Sequence, residues 1–126
     1  YAGRGQMTLL KRIYGKFVFE NKKVVAITST SGTSIGEDEE FLDPEYMEYC
    51  KNKKTLIEYI EQLQQELLNK PLSVYDVCPD VVDTDMTKGL WEDLPKLKAE
   101  EVAEAVRYCF ESTFNVNKIV VQKNAR

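Results

Sequence analysis

Tyr49 and Lys53 stand four residues apart, and Ser29 lies upstream at the end of the apolar run 24–27. On a helix, tyrosine and lysine at that spacing share a face, with Cβ atoms about 5–6 Å apart. A phenol is a weak acid, with a reference pKa of about 10. A neighbouring ammonium favours the phenolate and lowers that value. The phenol then becomes a usable proton donor or acceptor near neutral pH. Such a pair needs a third group to hold a carbonyl or hydroxyl oxygen, and the Ser29 hydroxyl can donate that hydrogen bond. Ser31 is a rival, because residues two apart in an extended segment share a face. Tyr46 also lies near, but its partner four residues on is Cys50 rather than a lysine. Cys50 itself reads as a buried structural thiol.

The rest of the composition removes other chemistries. The chain contains no histidine, which excludes Ser-His-Asp and Cys-His nucleophilic sites and His-dependent metal sites. No metal site is expected. Cys50, Cys78 and Cys109 are odd in number and widely spaced, with no Cys-x-x-Cys. They read as reduced, buried thiols of a reducing compartment, and a cytoplasmic location is expected. A formal charge of −4 argues against a nucleic-acid partner. No apolar run approaches the ~20 residues of a membrane span, and no signal-peptide pattern is visible. A hydrophobic content of 43% over 126 residues supports a packed core in one domain, residues 1–126.

The elements that must carry these residues follow from periodicity. Met7, Leu10, Ile13, Tyr14, Phe17 and Val18 recur at helical spacing over 6–19. The run 24–27 is short, apolar and rich in β-branched residues, as in a strand covered on both faces. Residues 28–36 are rich in Ser, Thr and Gly and predict a loop, and the acidic cluster 37–40 reads as solvated. Asp43 and Pro44 mark a helix start. The helix runs to about Asn69, with a stripe of Leu56, Ile60, Leu63 and Leu67 widened by Ile57 and Leu68. A strand is expected over 73–78 and a short helix over 86–94 within a loop. The helix of residues 99–112 should bury Val102, Ala103, Val106, Cys109 and Phe110, and a last strand should span 116–122. Alternating helices and strands predict an α/β fold with a parallel sheet, Rossmann-like and three-layered. Gly3-Arg4-Gly5 is not a dinucleotide fingerprint, because no strand precedes it and Thr8 stands where a glycine belongs.

Taken together, these motifs resemble the later, catalytic half of the short-chain dehydrogenase/reductase family. That family has a strand ending in a serine-rich turn, a helix with Tyr-x-x-x-Lys, and a strand ending in Pro-Gly-x-Val-x-Thr. Here the turn is Ile27-Thr28-Ser29-Thr30-Ser31-Gly32, and Tyr49 with Lys53 matches the helix motif. Pro79-Asp80-Val81-Val82-Asp83-Thr84 matches the third element, and Glu100-Glu101-Val102-Ala103 is similar to the start of the following helix. Counting back from Gly32, the resemblance implies Ser29 as the catalytic serine, with Ser31 as the alternative. It covers about residues 7–122.

The resemblance implies an oxidoreductase, such as a carbonyl reductase, using NAD or NADP on a small carbonyl or alcohol substrate. It implies Ser29, Tyr49 and Lys53 as catalytic residues. Tyr49, Lys53, Pro79, Asp80, Val82 and Thr84 would border the cofactor, the last two facing the nicotinamide carboxamide. Asp80 stands in the glycine place of the motif and puts an acid there. The separation of Ser29 from Tyr49 is longer than is usual in the family, which enlarges the loop 33–43. Phe41, Leu42, Met86, Leu90 and Trp91, in the loops bordering the pocket, point to a lipophilic substrate or simply cover the helices. The family's helices near 6–19 and 44–69 imply a homo-oligomer, a dimer at least. Its Gly-rich phosphate loop and Asn-Ala-Gly strand have no counterpart here. Since the chain begins with Tyr1, the expectation is that the nucleotide-binding half lies elsewhere. The alternative is a non-catalytic module acting in dimerisation or as a structural subunit.

Overall fold

The computed structural model describes residues 2–32, 44–80, 82 and 96–123. Helix α1 (Ala2–Phe17) leads to strand β1 (Lys23–Ile27) and a 3-10 turn (Thr30–Gly32). Helix α2 (Pro44–Glu66), strand β2 (Ser73–Pro79), helix α3 (Ala99–Glu111) and strand β3 (Lys118–Val121) follow. The strands form one parallel sheet in the order β1-β2-β3. The α/β fold and its parallel sheet are as expected.

Strand β2 lies at the centre, with residues 74–79 all buried. Alternation sends its side chains to two separate cores. Val74 packs with Leu10, Leu56, Ile60, Leu63 and Leu72 beneath α1 and α2. Tyr75 and Val77 pack with Leu97, Val102 and Cys109 of the α3 layer. Coverage on both faces of β2 is what a parallel sheet between two helix layers requires. Gly3-Arg4-Gly5 stands inside α1 rather than in a strand-to-helix turn.

Three expectations about packing are corrected. Helix α2 ends at Glu66, and a turn closed by Lys70 N–H to Leu67 C=O leaves Leu68 72% exposed. In α3, Val102 and Cys109 are buried, while Ala103 and Phe110 face outward, Phe110 with 52% exposed. Each of these two lies ~100° around the helix from its buried neighbour. The sheet-facing stripe is therefore centred on positions 102, 105, 106 and 109. Strand β3 is also shorter than expected and half-covered.

Two anchors hold the layers together. Lys23 Nζ donates to the carbonyls of Cys109, Phe110 and Ser112 at 3.1, 3.2 and 2.6 Å. A cation thus satisfies the open C-terminal carbonyls of α3. At the other end, Gly32 lies directly on α2. A Cβ there would sit 2.8 Å from Lys54 N and 2.9 Å from Ile57 Cδ1 and Lys53 C. The expected loop 33–43, the Asp43 cap and the short helix 86–94 lie outside the described residues, as does Thr84.

Candidate active site

Beyond Ile27 the chain leaves the sheet, and Thr28 N–H still donates to Val77 C=O at 2.9 Å. The 3-10 turn then folds back on itself. Ser29 Oγ accepts from Ser31 N–H at 3.1 Å, and Gly32 N–H donates to Ser29 C=O at 3.1 Å. Because Gly32 rests on the Lys53–Lys54 backbone, the two serines are held against the first turns of α2. Tyr46, Tyr49, Cys50 and Lys53 lie there at helical spacing.

The serine-tyrosine contacts form two pairs. The Ser29 hydroxyl lies near enough to the Tyr49 phenol to lower its pKa. The Ser31 and Tyr46 hydroxyls are 3.2 Å apart. The two rings stack, with centroids 6.1 Å apart and planes inclined by 22°. Ser31 is thus engaged with Tyr46, and Ser29 is the serine that acts on the Tyr49 phenol. The involvement of Tyr46 was not expected, because its helical partner, Cys50, offers no charge.

Lys53 Nζ lies 5.7 Å from the Tyr49 ring centroid and 3.5 Å from Gln6 Oε1. Gln6, on α1, also donates through Nε2 to Ile27 C=O at 3.2 Å. It links Lys53 to the end of β1, and nothing in its sequence context marked it.

The electrostatics correct one expectation. The Tyr49 phenol is not pulled below its ordinary value by Lys53. Burial pushes it up, the Ser29 hydrogen bond draws it partly back, and Cys50 adds a further upward push. The Lys53 ammonium is lowered by its own burial, against the opposing pull of Asp76 and Cys78. Burial likewise raises the Tyr46 phenol and the Cys50 thiol. An ammonium over the ring face stabilises the phenolate oxygen less than one beside it, and here the Lys53 side chain reaches toward Gln6.

The strand ends complete the site. Pro79 is buried and closes β2, and Asp80 N–H donates to Val121 C=O at 2.8 Å. The Asp80 carboxylate, in the place of the family's glycine, accepts from Thr30 Oγ1 at 3.1 Å. It ties the exit of β2 to the serine turn. Val82 forms a parallel bridge with Leu97. Ser29, Tyr49, Lys53, Pro79 and Asp80 thus gather at the carboxyl ends of parallel strands, where open α/β sheets place their ligand crevices. Among the described residues no cluster of His, Cys, Asp or Glu could hold a metal ion. No helix among them is long and apolar enough to cross a membrane.

Comparison with known proteins bears on the fold. No protein-family model matches the chain. An uncharacterized oxidoreductase of Staphylococcus epidermidis is 31% identical over 77 residues, covering 59% of this chain and 34% of that protein. The chain thus spans about a third of the curated relatives it matches. A short-chain dehydrogenase/reductase from Vibrio parahaemolyticus superposes with a TM-score of 0.67 at 22% identity, covering 93% of this chain and 50% of that one. The closed form of serine dehydrogenase complexed with NADP+ gives a TM-score of 0.74 at 18% identity, covering 93% and 50%. A 4-hydroxyisoleucine dehydrogenase complexed with NADH gives 0.66 at 18% identity, covering 93% and 51%. The chain has the fold of the short-chain dehydrogenases/reductases, over about half the length of those solved proteins.

Proposed function

We propose that this chain is the catalytic half of an NAD(P)-dependent short-chain dehydrogenase/reductase, acting on a small carbonyl or alcohol substrate. The observation that carries this reading is Lys53 Nζ 5.7 Å from the Tyr49 ring, with the Ser29 turn packed on the same helix through Gly32, at the carboxyl ends of parallel strands. NAD or NADP, when bound, supplies or accepts the hydride. Tyr49 gives the proton to the substrate oxygen in reduction and takes it back in oxidation. Burial keeps its phenol protonated, which is the form that reduction needs. The Ser29 hydroxyl orients the substrate oxygen and stabilises charge developing on it.

Lys53 suits the binding of the cofactor's ribose hydroxyls. An ammonium has three donors, and among the described residues this one makes one long hydrogen bond, to Gln6. As the resemblance implies, Pro79, Asp80, Val82 and Thr84 would hold the nicotinamide end of the cofactor. The reading extends to a cytoplasmic homo-oligomer, built through α1 and α2, with its three buried cysteines as free thiols. A lipophilic carbonyl is the substrate class that Phe41, Leu42, Met86, Leu90 and Trp91 favour.

The test is Tyr49→Phe in the complete protein. Turnover should fall by about 10²–10⁴-fold while NAD(P)H binding is kept. Full turnover with intact binding would overturn the assignment. The second reading, a non-catalytic dimerising module, draws on β1. Among the described residues that strand pairs on one side only, and it carries Ile27 with 40% exposed. A chain that binds no nucleotide yet sediments as a dimer would favour it.

A further inference from the structure

Ser31 and Tyr46 have no part in the chemistry given to Ser29, Tyr49 and Lys53, yet each touches a member of that set. Tyr46 and Tyr49 are three residues apart on α2 and so share a face. Their rings stack, with centroids 6.1 Å apart and planes inclined by 22°. Aromatic pairs at such a separation attract beyond the area they bury. Ser31 N–H donates to Ser29 Oγ at 3.1 Å. Its side-chain hydroxyl meets that of Tyr46 at 3.2 Å. One residue thus holds the Ser29 oxygen through its backbone and the Tyr46 ring through its side chain.

The hydroxyl tie joins two elements. Tyr46 stands in the first turn of α2, and Ser31 stands in the 3-10 turn. That turn is seated on the same helix through Gly32, where a Cβ would meet Lys54 N at 2.8 Å. The path is therefore closed: from α2 through Gly32 to Ser31, on to Tyr46, and back to α2. Tyr49 is half-buried, so core packing alone leaves it a choice of staggered rotamers. Lys53 Nζ, 5.7 Å from the Tyr49 ring centroid, sits on a flexible stem. A stacked neighbour tied at its hydroxyl restricts the Tyr49 ring, where an untied neighbour would swing with it.

We propose that Ser31 and Tyr46 are a positioning pair of the site, their hydroxyl tie holding the Tyr46 ring as a wall against which the Tyr49 ring is set. The proposal rests on the role given to Tyr49 above. Neither residue exchanges a proton with the substrate, and both act through Tyr49 and Ser29. The pair supplies orientation: the phenol that gives the proton starts in its working position.

The test combines kinetics with NMR of the tyrosine rings in the complete protein. Ser31→Ala and Tyr46→Phe each cut the tie and should each lower kcat by about tenfold, with KM and NAD(P)H binding unchanged. Both remove the same bond, so the double variant should lose no more than either single one. Tyr46→Leu also removes the ring and should lower kcat further. Unchanged kcat in the folded single variants overturns the proposal. So does a loss that falls on KM alone, which would make Tyr46 a substrate contact. Independently of turnover, the Tyr49 ring signals, assigned by their loss in Tyr49→Phe, should move in Ser31→Ala, and signals that stay in place overturn the proposal equally. Should the variants not fold, the parent protein decides. Proton cross-peaks between the Tyr46 and Tyr49 rings must be present, and their absence overturns the proposal. Turnover of Tyr49→Phe separates the two failures. Moved Tyr49 signals with full Tyr49→Phe turnover sink the enzymatic reading alone, and an inactive Tyr49→Phe with unmoved signals sinks the positioning role alone.

Discussion

Lys53 and Asp76 show how one side chain sets the terms for another. Each is a charge removed from water, and each on its own would be strongly disfavoured. Each acts on the other electrostatically. Removing both at once leaves no charge to desolvate. The double variant Lys53→Met/Asp76→Asn should therefore be more stable than the summed losses of the single variants allow. Urea unfolding at neutral pH should give a favourable coupling of about 0.5–3 kcal/mol, and strictly additive losses would show that the two charges do not sense each other. Asp76 was within reach of sequence reasoning. A carboxylate inside Val-Tyr-Asp-Val-Cys breaks an apolar strand that is covered on both faces. Its partner was not legible, because Thr28 lies 48 residues away.

Among the elements, the decisive junction is the 3-10 turn on α2. Gly32 allows backbone to lie on backbone, and that contact sets where Ser29 and Ser31 meet Tyr49 and Tyr46. In Gly32→Ala the new Cβ would meet Lys54 N at 2.8 Å. That atom is helix backbone and cannot turn aside as a side chain could. The substitution should cost about 1–3 kcal/mol in thermal or urea unfolding. It should also move Ser29 and Ser31 away from Tyr49 and Tyr46, lowering turnover more than the lost stability accounts for. An unchanged melt with unchanged turnover would show that the turn is free to shift. The sequence placed glycine at the end of a serine-rich turn. The close approach that makes it necessary depends on α2, whose contact atoms lie more than twenty residues further along.

Across the whole chain, burial of neutral acids dominates the response to alkali. The Cys50, Cys78 and Cys109 thiols are all raised from an ordinary value of 9.0, by burial first. The Tyr46, Tyr49 and Tyr59 phenols are raised from 10.0 for the same reason. In the unfolded chain these groups lose their protons first, so the folded state binds more protons as pH rises. Stability from these groups is whole below about pH 9 and is lost above it. Lys53, lowered from 10.5, works the other way, since the folded chain releases that proton first. Three thiols and three phenols outweigh one ammonium. The urea midpoint, measured under reducing conditions, should fall as pH rises from about 8.5 to 10.5. A flat midpoint would contradict the burial of these groups.

Local spacing was enough to read the alternating helices and strands and the parallel sheet. Those features rest on periods of two and 3.6 residues and on neighbours a few positions apart. Folding supplied the rest, because it depends on groups that meet from distant parts of the chain. It set the Ser31 hydroxyl against that of Tyr46, and it turned Ala103 and Phe110 outward. It drew Lys53 toward Gln6, so that burial rather than an ammonium governs the Tyr49 phenol. Desolvation and through-space charge are properties of a packed interior, and a linear spacing carries no record of them.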